Sequence, residues 1–299
     1  MKYTNKMNLP KSLVSAITND PYRSNADISV TTLVGPPKIR CLKARHNDEI
    51  VEDVSDGIWA LLGNNTHYII QRIKSGESLK EERLFITILG WTVSGQTDLY
   101  EDGFIDDWKV TSVWKILRGL DPDWESQTNC YAYLFRDAGF SVDAIQIVAF
   151  LRDWSKYGHQ KSHNYPEKQV VVLPVPLWGH DKALAYITDR VRLHQAAESL
   201  SDDDIPICTP EERWHKPDTW AVTKGTNKRA YRVLDSEAEA IDIKEAMDAK
   251  GKEEYRIEIR PGADVRCEDY CSCNQFCNHY RQTKREEVKS EFEQFFGEE

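Results

Sequence analysis

Two aspartates and a lysine in the run Gly95-Gln96-Thr97-Asp98-Leu99-Tyr100-Glu101-Asp102-Gly103-Phe104-Ile105-Asp106-Asp107-Trp108-Lys109 have the types and spacing for hydrolytic chemistry. Asp102-Gly103 lies between two strand-like stretches, and an Asp-Gly pair there is a strong signal for a two-residue hairpin loop. Such a loop sets 101 against 104, 100 against 105, 99 against 106 and 98 against 107. Asp98 and Asp107 then face each other with Cβ atoms roughly 5 Å apart. Lys109, two residues beyond Asp107, points to the same face. Two adjacent carboxylates repel, and a divalent cation relieves the repulsion. Mg²⁺ favours such hard oxygen ligands and keeps waters for substrate and nucleophile. Lys109 can orient or deprotonate a water and stabilise a charged phosphate. Phe104, Ile105 and Trp108 make the second strand apolar, so its charges are not those of an idle surface hairpin.

Three further groups stand out. Gly63-Asn64-Asn65-Thr66-His67 lies inside a helical pattern running from about Asp48 to Ile73. Gln127 and Tyr131 are four residues apart in a second helical stretch, Trp124–Gly139, and share one helix face. Four of the seven cysteines, Cys267, Cys271, Cys273 and Cys277, fall within eleven residues. That clustering points to metal binding rather than to scattered core thiols. Cys130 reads as packing.

In this order and spacing the motifs resemble the PD-(D/E)XK nuclease superfamily. The resemblance is to its RecB-like branch, whose members include the CRISPR-associated adaptation nucleases and many phage-encoded nucleases. Four motif elements across residues 63–131 carry it. The resemblance implies that His67, Asp98 and Asp107 bind Mg²⁺ or Mn²⁺, with the Trp108 backbone carbonyl as a further ligand, and that Lys109 is catalytic together with the two acids. Gln127 and Tyr131 would support the site or touch the DNA backbone. The terminal segment resembles the cysteine motif of iron–sulfur members, although Cys267, Cys271 and Cys277 have one residue more in the first gap. Cys208, in Ile205-Pro-Ile-Cys208-Thr-Pro, resembles a motif ahead of the terminal cluster in phage relatives and is the preferred fourth ligand. Cys41 and the extra Cys273 are the alternatives. Four thiolates suit a [4Fe–4S] cluster or Zn²⁺.

The elements that must position these residues follow from periodicity and breakers. Residues 1–46 read as irregular, broken by Pro10, Pro21, Pro36 and Pro37, with a short strand at Ile28–Leu33. Strands are expected over Arg83–Tyr100, broken near Gly90, and over Phe104–Trp114, Ala144–Leu151 and Gln169–Pro176, with a helix at Asp181–Glu198. The fold expected is α/β: a restriction-endonuclease-like mixed central sheet flanked by helices. Three regions follow: a nuclease core at 1–200, a small α+β insertion at 201–262, and a cysteine-cluster segment with a charged tail at 263–299.

Bulk properties bound the function. The 299 residues are 40% hydrophobic, enough for a sizeable core, and carry a formal net charge of −10. That charge argues against a passive DNA-coating protein but allows an enzyme with local grip. No apolar run is long enough to span a bilayer and the N-terminus lacks a signal-peptide core, so a cytoplasmic protein of a bacterial or phage-infected cell is expected, without membrane association. The expected activity is metal-dependent hydrolysis of DNA, as an exonuclease acting on ends or single strands in recombination, repair or phage DNA processing. No G-x-x-x-x-G-K-[ST] loop is present, so a helicase or recombination partner would be a separate chain. The competing readings are a catalytically inactive DNA-processing subunit and a zinc-stapled interaction protein.

Overall fold

The computed structural model describes residues 1–19, 25–74, 78–251 and 254–286, and His67 without its side chain. The chain divides into two compact units, Met1–Ile205 and Pro206–Glu299. The first unit runs past residue 200 because the buried Lys38 ammonium binds the carbonyls of Asp202 and Ile205, at 2.9 and 2.7 Å. Ile205 itself is buried with Cys41 and Ala197.

The first unit is a mixed α/β structure built on two main sheets. The larger has the strand order Val170–Val175, Ala144–Leu151, Phe104–Thr111, Leu99–Glu101, Leu79–Lys80. Phe104–Thr111 runs parallel to Ala144–Leu151, and the remaining pairs are antiparallel. The smaller sheet has the order Ile28–Ser29, Trp91–Gln96, Arg83–Ile88. The two sheets are two ends of one long hairpin. Leu79 pairs Tyr100 and Lys80 pairs Leu99, while Arg83 pairs Gln96 and Ile88 pairs Trp91, all in one register. The ladder is interrupted only at 81–82 and 97–98. There the Glu81 N–H donates to the Asp98 carbonyl and the Thr97 N–H to the Glu82 carbonyl, both at 3.1 Å. Glu81 takes a φ of 54°, unusual for a residue with a side chain, and marks the bend.

The helix Pro122–Asp137 ties the sheets together. Asp121 caps it by accepting the Asp123 N–H, and Pro122 occupies the first turn, where its missing N–H costs nothing. Cys130, Tyr131, Tyr133 and Leu134 enter the core that holds Val93 of the small sheet and Ile187 and Val191 of the helix His180–Glu198. Ala132 and Phe135 enter the core of Ile105, Ile145, Ile147 and Val175 from the large sheet.

Two stretches differ from the sequence expectation. Residues 1–46 are regular over much of their length, with a strand Lys2–Thr4 and helices Lys11–Thr18, Val30–Val34 and Pro37–Arg45. Pro10 and Pro37 start helices instead of breaking them, because a helix's first turn has no use for the proline's missing N–H. The expected strand at 28–33 ends at Ser29, whose hydroxyl accepts the Thr32 N–H and starts a helix. The helix expected from Asp48 begins only at Ile58 and ends at Ile70. Val51–Asp53 instead pairs with Lys2–Thr4, and the Asp53 carboxylate captures the Ser55 N–H.

In the second unit the strands Ala230–Leu234, Thr219–Lys224 and Tyr255–Arg260 form an antiparallel sheet. Val222, Leu234 and Tyr255 bury one face of it with Ala240 of the helix Glu237–Asp248. Among the described residues no helix is long and apolar enough to cross a membrane.

Candidate active site and thiol group

The hairpin forms at the expected turn. Asp102 and Gly103 have φ of 47° and 82°, both in the left-handed region that a two-residue loop of this kind requires. Leu99 pairs Asp106, Tyr100 pairs Ile105 and Glu101 pairs Phe104. Continued past its last pair, the register sets Asp98 against Asp107 and Thr97 against Trp108. The bend at 97–98 draws the first strand away at that point. The Trp108 N–H, deprived of a backbone acceptor, donates to the Asp98 carboxylate at 2.6 Å. In an antiparallel pair a residue directs its N–H and C=O to the same neighbour, so the Trp108 carbonyl faces that side too.

Asp98, Asp107, Lys109, Gln127 and Tyr131 line one cleft of about 660 Å³. Asp98 and Asp107 are buried. Lys109 Nζ lies 2.7 Å from Asp107 Oδ2, the expected same-face neighbour. That oxygen is buried, and the charge-assisted contact with Lys109 is its partner. Burial works against the Lys109 ammonium, but the Asp107 carboxylate outweighs it and holds the lysine's pKa above the ordinary value. Lys109 also donates to Gln127 Oε1 at 3.3 Å, and Gln127 Nε2 donates to the Tyr131 hydroxyl at 2.7 Å and to Thr31 Oγ1 at 3.1 Å. Burial, reinforced by the Asp107 charge, pushes the Tyr131 phenol up to about 12, so it remains a neutral hydrogen-bonding group. Gly95 makes room for it: a Cβ there would come within 2.8 Å of the Tyr131 ring.

His67 lies on the helix Ile58–Ile70, and its side chain falls outside the described residues. Gly63 and Asn64 of the same motif line the cleft. Sequence reasoning missed other cleft residues, Thr31, Glu81 and Arg83 among them. Glu81 accepts from Gln96 Nε2 at 2.8 Å, and Arg83 binds the same glutamine. Nothing in their local sequence signals a site, because the bend at 81–82 and 97–98 brings them in.

In the second unit Cys208, Cys267, Cys271 and Cys277 share one electrostatic neighbourhood. Burial, then Glu212 and these other thiols, pushes Cys208 up to about 12. Burial, then Asp264, Cys271 and Cys277, pushes Cys267 up to about 11. Mutual destabilisation of thiolates is what a bound cation relieves, so the donor chemistry fits a thiophilic metal. Cys273 is buried with its sulfur 3.6 Å from that of Cys271. Cys41 packs in the core of the first unit with Ala197 and Ile205. Cys130 is fully buried, as expected, and burial pushes its thiol up to about 12. Among the described residues, no group of three or more His, Cys, Asp or Glu side chains closes into a ready metal site.

No family model and no curated protein matches the chain. Several solved structures are similar to it, among them the two that follow. The crystal structure of SSO0001 is 15% identical, with 61% of this chain and 83% of that one covered at a TM-score of 0.42. That of a "Putative exonuclease" from Eubacterium rectale is 13% identical, with 60% and 70% covered at a TM-score of 0.31.

Proposed function

We propose that this chain is a Mg²⁺- or Mn²⁺-dependent nuclease of restriction-endonuclease-like fold that hydrolyses phosphodiester bonds of DNA. One observation carries the reading: the hairpin register and the bend place two buried carboxylates and a lysine on one cleft, with Lys109 Nζ 2.7 Å from Asp107 Oδ2. Asp98, Asp107 and the Trp108 carbonyl would hold the cation, with His67 as the further ligand that the motif suggests. A bound divalent cation would supply Lewis-acid polarisation of a phosphate oxygen and a more acidic water. Lys109, held charged by Asp107, is set to stabilise negative charge on the phosphate. Gln127 fixes the lysine's position, and Tyr131 and Thr31 fix Gln127.

For the second unit the same reading assigns a [4Fe–4S] cluster or Zn²⁺ to Cys208, Cys267, Cys271 and Cys277, with a structural role. It is supported by the charge repulsion that these thiolates exert on one another. A labelled DNA oligonucleotide incubated with Mg²⁺, with and without a chelator, tests the activity. Cleavage that the chelator abolishes and that Lys109→Met lacks is expected. Chelator-insensitive cleavage, or none by the wild type, would reject the proposal.

A further inference from the structure

The whole chain has 49 acids against 39 lysines and arginines, but the stretch 152–168 reverses that balance, with Arg152, Lys156, Lys161 and Lys168 against Asp153 and Glu167. The Asp153 carboxylate accepts the Val113 N–H at 2.7 Å, and Glu167 lies 3.9 Å from Lys168. Arg152, Lys156 and Lys161 are exposed. The Arg152 guanidinium lies 4.3 Å over the Trp59 ring, and the Lys161 ammonium 4.6 Å over that of Tyr157. Trp59 is itself 58% exposed and Tyr157 65% exposed. A ring orients a cation without neutralising it. The stretch is anchored beside the candidate active site. The Arg152 N–H donates to the Thr111 carbonyl at 2.9 Å, one residue past Val110, which lines the cleft. Trp59 precedes Ala60, another lining residue. The Tyr165 hydroxyl accepts the Ser155 N–H at 3.1 Å and donates to the Asp153 carbonyl at 3.3 Å, and Trp154 Nε1 donates to the Pro166 carbonyl at 2.9 Å. These bonds fix where the cations are displayed.

We propose that Arg152, Lys156 and Lys161 form a phosphate grip that holds the DNA backbone on one side of the bond being cut. Backbone phosphates carry their charge in every sequence, so cations displayed beside the cleft supply an attraction that its buried acids cannot. The Arg152 guanidinium can meet a phosphate with two parallel hydrogen bonds, and the two ammonium groups act as point charges. DNA leaving the cleft past Val110 and Thr111 meets Arg152 first and then the helix Lys156–Lys161. The proposal rests on the nuclease reading for the identity of the polyanion, and it adds the surface by which the backbone is held. The grip reads charge alone and is the same for paired and unpaired DNA.

The test measures binding of the full chain to a fluorescein-labelled DNA duplex by anisotropy across a series of KCl concentrations, with Ca²⁺ in place of Mg²⁺. The triple variant Arg152→Gln/Lys156→Gln/Lys161→Gln removes the charges at exposed positions, and Arg152→Lys/Lys156→Arg/Lys161→Arg keeps them. Lys43→Gln removes one exposed charge on the helix Pro37–Arg45 as a control. The glutamine variant should bind more weakly, with a plot of log affinity against log salt shallower by about 2 to 3, since each lost phosphate contact removes about 0.9. The charge-keeping variant and Lys43→Gln should retain the wild-type slope. A glutamine variant with the wild-type slope, or a charge-keeping variant that loses as much as the glutamine one, overturns this inference and leaves the nuclease reading standing. A folded wild type that neither binds DNA nor cuts it with Mg²⁺ overturns both.

Discussion

Replacing Lys109 with methionine keeps the length of the side chain and removes its charge. The ammonium lies 2.7 Å from Asp107 Oδ2, with the Asp107 side chain 4% exposed and that of Lys109 24% exposed. Breaking a fully buried pair by removing one partner costs about 3–5 kcal/mol. Here the lysine opens onto a water-accessible cleft, which reduces the loss to about 1–2 kcal/mol. For a unit of this size that lowers Tm by roughly 2–8 °C. The effect on catalysis is expected to be much larger. Loss of a preorganised group that stabilises transition-state charge lowers kcat by about a hundred- to a thousandfold. Urea denaturation and a Mg²⁺-dependent cleavage assay measure the two effects separately. The double variant Asp107→Asn/Lys109→Met should lose less stability than the two single changes added together, by about 1 kcal/mol, because neither charge is then left alone. A folded Lys109→Met protein that cuts DNA like the wild type removes the lysine from the chemistry. Strict additivity in the double variant removes the ion pair from the account of stability.

Gly103→Ala should destabilise the hairpin by about 1–2 kcal/mol for the left-handed backbone alone, and more because its Cβ would meet Asp143 Oδ2 at 2.5 Å. Gly90→Ala, with the same φ of 82° and open space around it, provides the control; equal melting temperatures for the two variants would contradict the argument. His194 is buried, receives the Arg40 Nε–H on Nδ1 and offers Nε2 to the Leu33 carbonyl, and burial pushes its pKa down to about 4. The unfolded chain takes up this proton below about pH 6.5, whereas the native state takes it up only near pH 4. Stability is therefore lost as pH falls through that window, by about 3 kcal/mol. His194→Gln should flatten that part of the urea-denaturation profile, and an unchanged slope would refute it. Cys208→Ser should strip the purified protein of most of its bound iron or zinc, read by metal analysis and visible absorbance, while Cys41→Ala keeps it. The reverse pattern would move the fourth ligand to Cys41.

What the chain determined by itself was local. An Asp-Gly pair between two strand-like stretches sets a hairpin register, and a two-residue period then puts Lys109 beside Asp107. The i, i+4 spacing of Gln127 and Tyr131 likewise sets one helix face. These relations depend on backbone geometry within a few residues, which the side chains present there decide. The helices in the first 46 residues were hidden for the opposite reason: a proline reads equally well as a breaker and as a first-turn residue until the rest of the helix finds something to pack on. Tertiary structure alone decided that the 79–101 hairpin bends at Glu81 and Asp98, and that Pro122–Asp137 packs into the cores of both sheets. That bend frees the Trp108 N–H for the Asp98 carboxylate and brings Glu81 and Arg83 to the cleft. It also decided that Cys208 shares the electrostatic neighbourhood of Cys267, Cys271 and Cys277, and that Cys41 is buried with Ala197 and Ile205. Those outcomes turn on burial shared by residues far apart in sequence, which no local spacing encodes.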